Sequence, residues 1–193
     1  MNKIKVVAYY TLNTPYEEEV KNLRTSLDEL NLDHDIVGIK DLGSWQMNTR
    51  AKALFMKEML EKHSNFSLLY VDADAIVRCE PEFLYNIDCD IALRYQDFTW
   101  KKNESLSGTI YMANNNKTRQ LCDLWDKLNK KYARKGRHLE QWNLGKAIEE
   151  MQDLKIINLP PEYTFIFDIM RRIYPDTKPV IEHFQASRRF RNK

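Results

Sequence analysis

Apolar positions along this chain switch between a period of two and a period near 3.6, and the switching predicts the order of elements. Ile4–Thr11 is rich in β-branched and aromatic residues and reads as a strand. Thr14-Pro15-Tyr16-Glu17 then predicts a helix start, with Thr14 as N-cap, Pro15 at the first helical position and Glu17 completing a capping box. Val20, Leu23, Leu27 and Leu30 follow at helical spacing and form its buried face. A short strand is expected over His34–Ile39. A second helix is expected over about Asn48–Lys62, with Ala51, Leu54, Phe55 and Met59 inward. Phe66–Val71 is an apolar strand that ends at Asp72.

Strands alternating with helices imply a largely parallel sheet joined by crossovers. Such a sheet places ligands beyond the carboxyl ends of its strands, here after Tyr10-Thr11 and after Val71. The second half is more mixed. Asp90–Tyr95, Thr109–Ala113, Lys155–Leu159 and Val180–Phe184 read as strands, and Pro160-Pro161 stops the third of them. Lys117–Tyr132 is an amphipathic helix with Leu121, Leu124, Trp125, Leu128 and Tyr132 on one face, and Leu139–Met151 is another helix. There are no repeats and no low-complexity stretch.

A chain of 193 residues fits one domain. It is long enough to bury roughly 70% of its unfolded surface without metal or disulfide support. No apolar run reaches the ~20 residues of a membrane span. The run Val6–Tyr10 is too short for a signal-peptide core. Cys79, Cys89 and Cys122 are odd in number and lack CxxC spacing, which points to a reduced cytoplasm. The formal charge of +2 conceals an asymmetry: residues 1–100 carry 11 Lys and Arg against 17 Asp and Glu, and residues 101–193 carry 19 against 11. The second half is either an unevenly charged solvated surface or a surface that meets an anion.

The chemistry concentrates in Leu68-Leu69-Tyr70-Val71-Asp72-Ala73-Asp74-Ala75-Ile76. Carboxylates at i and i+2 point the same way on extended backbone. At the mouth of a buried strand their charge is costly without a compensating cation. Mg²⁺ and Mn²⁺ prefer carboxylate oxygen and carry a diphosphate at the same time. The alternative is an acidic turn that caps the next element. Position directly after an apolar strand favours the metal. Two enzyme classes use this pattern: haloacid-dehalogenase phosphatases, with an aspartate nucleophile on the first strand, and nucleotide-sugar glycosyltransferases. Here a full strand-helix-strand-helix unit precedes Asp72, which favours the second.

The chain resembles the small bacterial and phage nucleotide-diphospho-sugar transferases, GT-A relatives of glycogenin-type enzymes. The resemblance runs from about residue 50 to residue 189. It rests on Lys52, Tyr70–Val77 with Pro81 and Leu84, Leu106-Ser107-Gly108-Thr109-Ile110-Tyr111, Asn114-Asn115 with Trp125, Glu140-Gln141-Trp142-Asn143-Leu144, Leu159–Tyr163 through Phe167-Asp168, and Pro179–Arg188. The first 45 residues match only in pattern. Glu140 departs from it, since relatives carry aspartate before the glutamine.

The resemblance implies a single GT-A domain: a Rossmann-like mixed α/β sheet, mostly parallel in its N-terminal half, with helices on both faces. Residues 1–77 would form the nucleotide-binding half, and residues 78–193 the sugar and acceptor half. It implies a metal, Mn²⁺ or Mg²⁺, on Asp72, Asp74 and His183. It implies donor binding by Lys52, Asp72, Ser107 and Gly108, and catalytic positions at Glu140 and Gln141; the strand-end rule adds Tyr10 and Thr11 to the donor site, and a C-terminal segment folded back onto the metal adds Arg188 and Arg189. By themselves Lys52 is an ordinary exposed helix lysine and His183 an ordinary strand histidine. Trp125, Trp142, Tyr163 and Phe165 read as core, and Trp45 and Trp100 as loop aromatics able to stack on a base or sugar.

The implied activity is transfer of a sugar from a nucleoside diphosphate, UDP being favoured, with retention at the anomeric carbon. The acceptor stays open among a glycan, a protein side chain, a small molecule and a modified DNA base. Because His183 follows Asp74 by more than a hundred residues, Glu182–Arg189 must fold back across the carboxyl edge of the sheet. Two rival readings are a metal-dependent phosphohydrolase that uses Asp72 and a nucleic-acid-binding module that uses the basic second half.

Overall fold

The structure is a computed structural model that describes residues 2–96, 104–133 and 140–190. The first strand, β1 (Ile4–Thr11), alternates between the two faces of a central sheet. Val7 and Tyr9 enter one apolar cluster, while Val6 and Ala8 enter the other. It lies between β2 (His34–Ile39) and β3 (Ser67–Val71), parallel to both. Beyond β3 come β6 (Ser105–Met112), β5 (Ile91–Tyr95) and β7 (Ile156–Asn158), which complete the order β2-β1-β3-β6-β5-β7. Only β6 runs against the rest: it is antiparallel to β3 and to β5, and β7 is parallel to β5.

Helices cover both faces. Trp125 and Leu121 of α5 (Asn116–Tyr132), with Leu144 and Ala147 of α6 (Glu140–Glu150), pack in the cluster that takes Val7 and Tyr9. Leu23 and Leu27 of α1 (Tyr16–Glu29) pack in the other. The α5 start is fixed by a capping box between Asn115 and Thr118. The expected box at α1 does not form, because Pro15 takes the N-cap position. Instead Glu17 Oε1 accepts from the Asn13 amide (2.9 Å), and Thr14 Oγ1 donates to the Thr11 carbonyl (2.7 Å). Asn13, at φ 59°, supplies the left-handed turn that draws Glu17 one residue further back.

The helix expected over Asn48–Lys62 is two helices, α2 (Trp45–Arg50) and α3 (Lys52–Lys62), meeting at Ala51. Ser44 caps α2 by accepting from the Met47 amide, and Asn129 of α5 donates to the Arg50 carbonyl at the break. The inward stripe of α3 is Lys52, Phe55, Met56 and Met59, so Leu54 faces outward and is 43% exposed, contrary to expectation.

A second, three-stranded sheet has the order β4-β9-β8, from β4 (Ala75–Val77), β9 (Ile181–His183) and β8 (Phe165–Ile166). β4 leaves the end of β3 and pairs antiparallel with β9, setting Ala75 opposite His183. Among the described residues there are also shorter helical pieces: α4 (Glu82–Tyr85), a 3-10 turn at Pro161–Thr164, α7 (Met170–Ile173) and α8 (Ala186–Phe190).

Candidate active site

A cleft of about 370 Å³ opens at the carboxyl ends of β1 and β3. Tyr10 and Thr11 line it from β1, Trp45 and Asn48 from α2, Asp72 and Asp74 from the turn after β3, and Ser107 and Gly108 from β6. Glu140, Gln141, His183 and Arg188 complete its wall. The expected site residues therefore meet in one place, except Arg189. That side chain pairs with Glu19 at 2.9 Å and borders a neighbouring cavity instead. Trp100 lies outside the described residues.

Asp72, Asp74 and His183 each present a ligand atom within 4.8 Å of the others. The β4–β9 register accounts for the histidine: the strand that leaves Asp74 is the one on which β9 folds back. His183 Nε2 lies 2.8 Å from Thr109 Oγ1. A proton on Nε2 donated to that hydroxyl would leave Nδ1 free to take a cation. Asp74 is fixed on its other side, where Oδ2 accepts from the Ala186 amide at 2.6 Å. A Cβ built on Gly108 would stand 3.1 Å from Asp72 Oδ2 and 3.3 Å from His183 Nδ1. The missing side chain thus keeps open the space between Asp72 and His183.

Lys52 is buried, not exposed. Its Nζ donates to Asp72 Oδ1 (3.1 Å), Glu140 Oε1 (3.1 Å) and the Ser107 carbonyl (2.9 Å). It reaches them from the first turn of α3, beside the break at Ala51. Ser107 Oγ also donates to Glu140 Oε1 at 2.7 Å, while Oε2 of Glu140 is buried without a partner. Glu140 itself is held at the start of α6. The Trp125 indole donates to its carbonyl and Ser105 Oγ to that of Gln141, both at 2.8 Å.

Electrostatics follow from this crowding. Burial opposes the Lys52 charge, but Asp72 and Glu140 outweigh it and hold the ammonium above the ordinary lysine range. Burial raises the Glu140 carboxyl, with Lys52 and Ser107 pulling it partly back. Burial, then Asp72, pushes Asp74 up to about 6. Burial lowers His183 to about 4, so its imidazole is neutral at physiological pH. Three carboxylates against one ammonium leave an excess of two negative charges, the charge of one divalent cation. Two carboxylates and a neutral imidazole form a mixed oxygen and nitrogen donor set compatible with a divalent cation.

Two partners were not singled out by the sequence: Tyr70, whose hydroxyl donates to Asp72 Oδ1 at 2.8 Å, and Thr109. Each stands two places along a strand from a site residue, Asp72 and Ser107 respectively, so period-two spacing was the available signal. Trp125, Tyr163 and Phe165 are core, as expected, whereas Trp142 is half-buried against Tyr132.

Among solved structures, the chain is similar to a glycosyltransferase involved in glycosylation of the major capsid of PBCV-1. The TM-score is 0.75 at 14% identity, covering 98% of this chain and 97% of that one. It is also similar to glycosyltransferase GlyE of Streptococcus pneumoniae TIGR4, with a TM-score of 0.65 at 16% identity, covering 94% of this chain and 54% of GlyE. A third is galactosyltransferase LgtC, crystallised with donor and acceptor sugar analogs, with a TM-score of 0.58 at 10% identity, covering 94% and 87%. No family model and no curated protein matches the sequence. The chain has a GT-A-like glycosyltransferase fold: a mixed α/β architecture around a six-stranded, mostly parallel sheet.

Proposed function

We propose that this protein is a glycosyltransferase that moves a sugar from a nucleoside-diphosphate donor, a UDP-sugar first among them, to an acceptor. The observation that carries the reading is the convergence of Asp72, Asp74 and His183 beside the buried Lys52–Glu140 pair, in the cleft at the carboxyl ends of β1 and β3. Asp72, Asp74 and His183 would hold Mn²⁺ or Mg²⁺, which supplies Lewis-acid stabilisation of the diphosphate leaving group. Tyr10, Thr11 and Trp45 line the cleft near the ends of β1 and α2, where they face the nucleoside. Arg188 pairs with Asp168 at 2.7 Å while bordering the cleft, within reach of phosphate oxygens.

The reaction breaks the anomeric C–O bond to the diphosphate and forms a new bond to an acceptor oxygen, whose proton leaves. Positive charge that develops on the sugar is stabilised by the Glu140 carboxylate. Its Oε1 is pinned by Lys52 and Ser107, and its Oε2 is buried without a partner in the wall of the same cleft. Gln141, next on α6, lines the same wall.

The rival readings are less well supported. A phosphohydrolase of this kind carries its nucleophile on the first strand, whereas Asp72 follows β3. Seven of the 19 basic residues of the second half, Lys117, Lys130, Lys146, Lys155, Arg171, Arg188 and Arg189, each meet a carboxylate. The test is calorimetry with UDP, with Mn²⁺ or with chelator, on the wild type and Asp74→Asn, alongside UDP-sugar turnover. Wild-type affinity is expected to depend strongly on Mn²⁺ and the variant's weakly. Equal wild-type affinity in both conditions overturns the reading.

A further inference from the structure

A second cavity, of about 420 Å³, adjoins the first. Its volume lies in the range of small-ligand sites. Asp74, Gln185 and Arg188 border both cavities, so the segment from Gln185 to Arg188 forms their common rim. The proposed donor chemistry uses the first cavity and leaves the second without a role.

Its lining combines aromatic rings with planar polar groups. Phe167 and Phe184 stack, with ring centroids 5.6 Å apart and planes 21° from parallel. The Arg78 guanidinium lies 5.8 Å from the Phe184 centroid, and Phe167 is left 36% exposed. Around the rings stand Glu19 and Asn22 of α1, with Asp168 and Arg188. A pyranose matches this chemistry. One face of the sugar ring is lined with C–H groups that lie on an aromatic surface, and its hydroxyls both donate and accept. Carboxylate, amide and guanidinium groups serve them in both senses. An anionic ligand fits less well, because Glu19, Asp74 and Asp168 set three carboxylates around the space, and Arg188 and Arg189 already pair with two of them.

We propose that the second cavity is a carbohydrate subsite for the acceptor. It holds a sugar unit of a glycan whose reacting end enters the donor cleft over the Gln185–Arg188 rim. The proposal rests on the glycosyl-transfer reading and narrows its acceptor to a glycan.

The test is saturation-transfer NMR and calorimetry with free lactose, maltose, cellobiose and chitobiose, on the wild type and Phe167→Ala. At least one disaccharide is expected to bind the wild type, and Phe167→Ala to weaken it about tenfold, the loss expected of an aromatic contact. Phe167→Trp restores binding, and UDP affinity with Mn²⁺ is unchanged throughout. If Phe167→Ala does not fold, Phe167→Leu keeps apolar bulk without a ring face and carries the same expectation. Disaccharide binding that survives loss of the ring overturns the subsite. UDP binding with no disaccharide binding overturns the subsite alone. Disaccharide binding in a protein that binds no UDP overturns the acceptor role and the glycosyl-transfer reading together.

Discussion

Thr109 Oγ1 lies 2.8 Å from His183 Nε2, joining the strand beside the aspartates to the strand that brings the histidine. A hydroxyl there holds the ring orientation, with Nδ1 on the side of Asp72 and Gly108. Thr109→Val keeps the branched shape and removes the oxygen. Mn²⁺ affinity is expected to fall about 10- to 100-fold, the usual consequence of losing the partner of a metal-binding histidine. Thr109→Ser should retain most of it. Titration of free Mn²⁺ by electron paramagnetic resonance reads both, and a Thr109→Val affinity equal to wild type removes this role.

Gly108→Ala tests the space between the ligands. The added methyl would sit 3.1 Å from Asp72 Oδ2 and from His183 Cε1, closer than ordinary packing. Metal-dependent UDP binding is expected to drop at least tenfold, with the circular-dichroism spectrum unchanged. Undiminished binding shows that the gap has no bearing on the ligand.

Lys52 is the sole cation within bonding distance of both Asp72 and Glu140 among the described residues. Lys52→Met leaves two acids facing each other across an apolar chain. The cost expected is about 3–5 kcal/mol in urea unfolding, the range for removing one partner of a buried ion pair. Adding Glu140→Gln should recover part of it. Glu140→Gln alone should lower kcat sharply with little change in UDP affinity, because the role proposed for its carboxylate is on charge that develops during transfer. A Lys52→Met loss below about 1 kcal/mol contradicts the buried-pair account.

Asp74 titrates near pH 6 and His183 near pH 4 in the metal-free protein. The Asp74 shift favours folding below the ordinary carboxylate value, and that gain is lost as pH rises through about 6. The His183 shift favours folding above the ordinary histidine value, and that gain is lost as pH falls towards about 4. The two oppose each other in folding stability, so metal affinity is the clearer readout. A metal requires Asp74 ionised and His183 neutral, so Mn²⁺ affinity should be level above pH 6.5 and fall as pH drops through about 6. Asp74→Asn should abolish that break while lowering affinity overall. Calorimetry at half-unit pH steps decides, and a wild-type break nearer pH 4 would move the control to His183.

Long, strongly periodic elements were legible in the chain. β1 and β2 fall on their expected limits, and α5 begins one residue before its own. What failed was decided by distant residues. β4 and β8 have three and two residues, too few for a pattern, and exist because β9 pairs with both. The break at Ala51 depends on Asn129, far along the chain, satisfying the carbonyl of Arg50. In the site, the aspartates stood out because charge follows an apolar strand. Lys52 was marked only by the resemblance, since a helical lysine by itself shows no sign of burial until its acidic partners are in place. Arg188 and Arg189 are neighbours in sequence but diverge around α8, one to Asp168 and the other to Glu19.

The β4–β9 pairing also sets the order of events during folding. Ala186 and Asp74, joined by a hydrogen bond, are 112 positions apart, so their contact closes one of the longest loops in the chain. Closing such a loop costs entropy before any of its contacts can repay it, which delays it relative to the local β1-α1-β2 units. An ion bound by Asp72, Asp74 and His183 therefore grips only molecules that have already assembled. Mn²⁺ should leave the refolding rate nearly unchanged and slow unfolding instead, prolonging the lifetime of the finished protein without guiding the chain towards it.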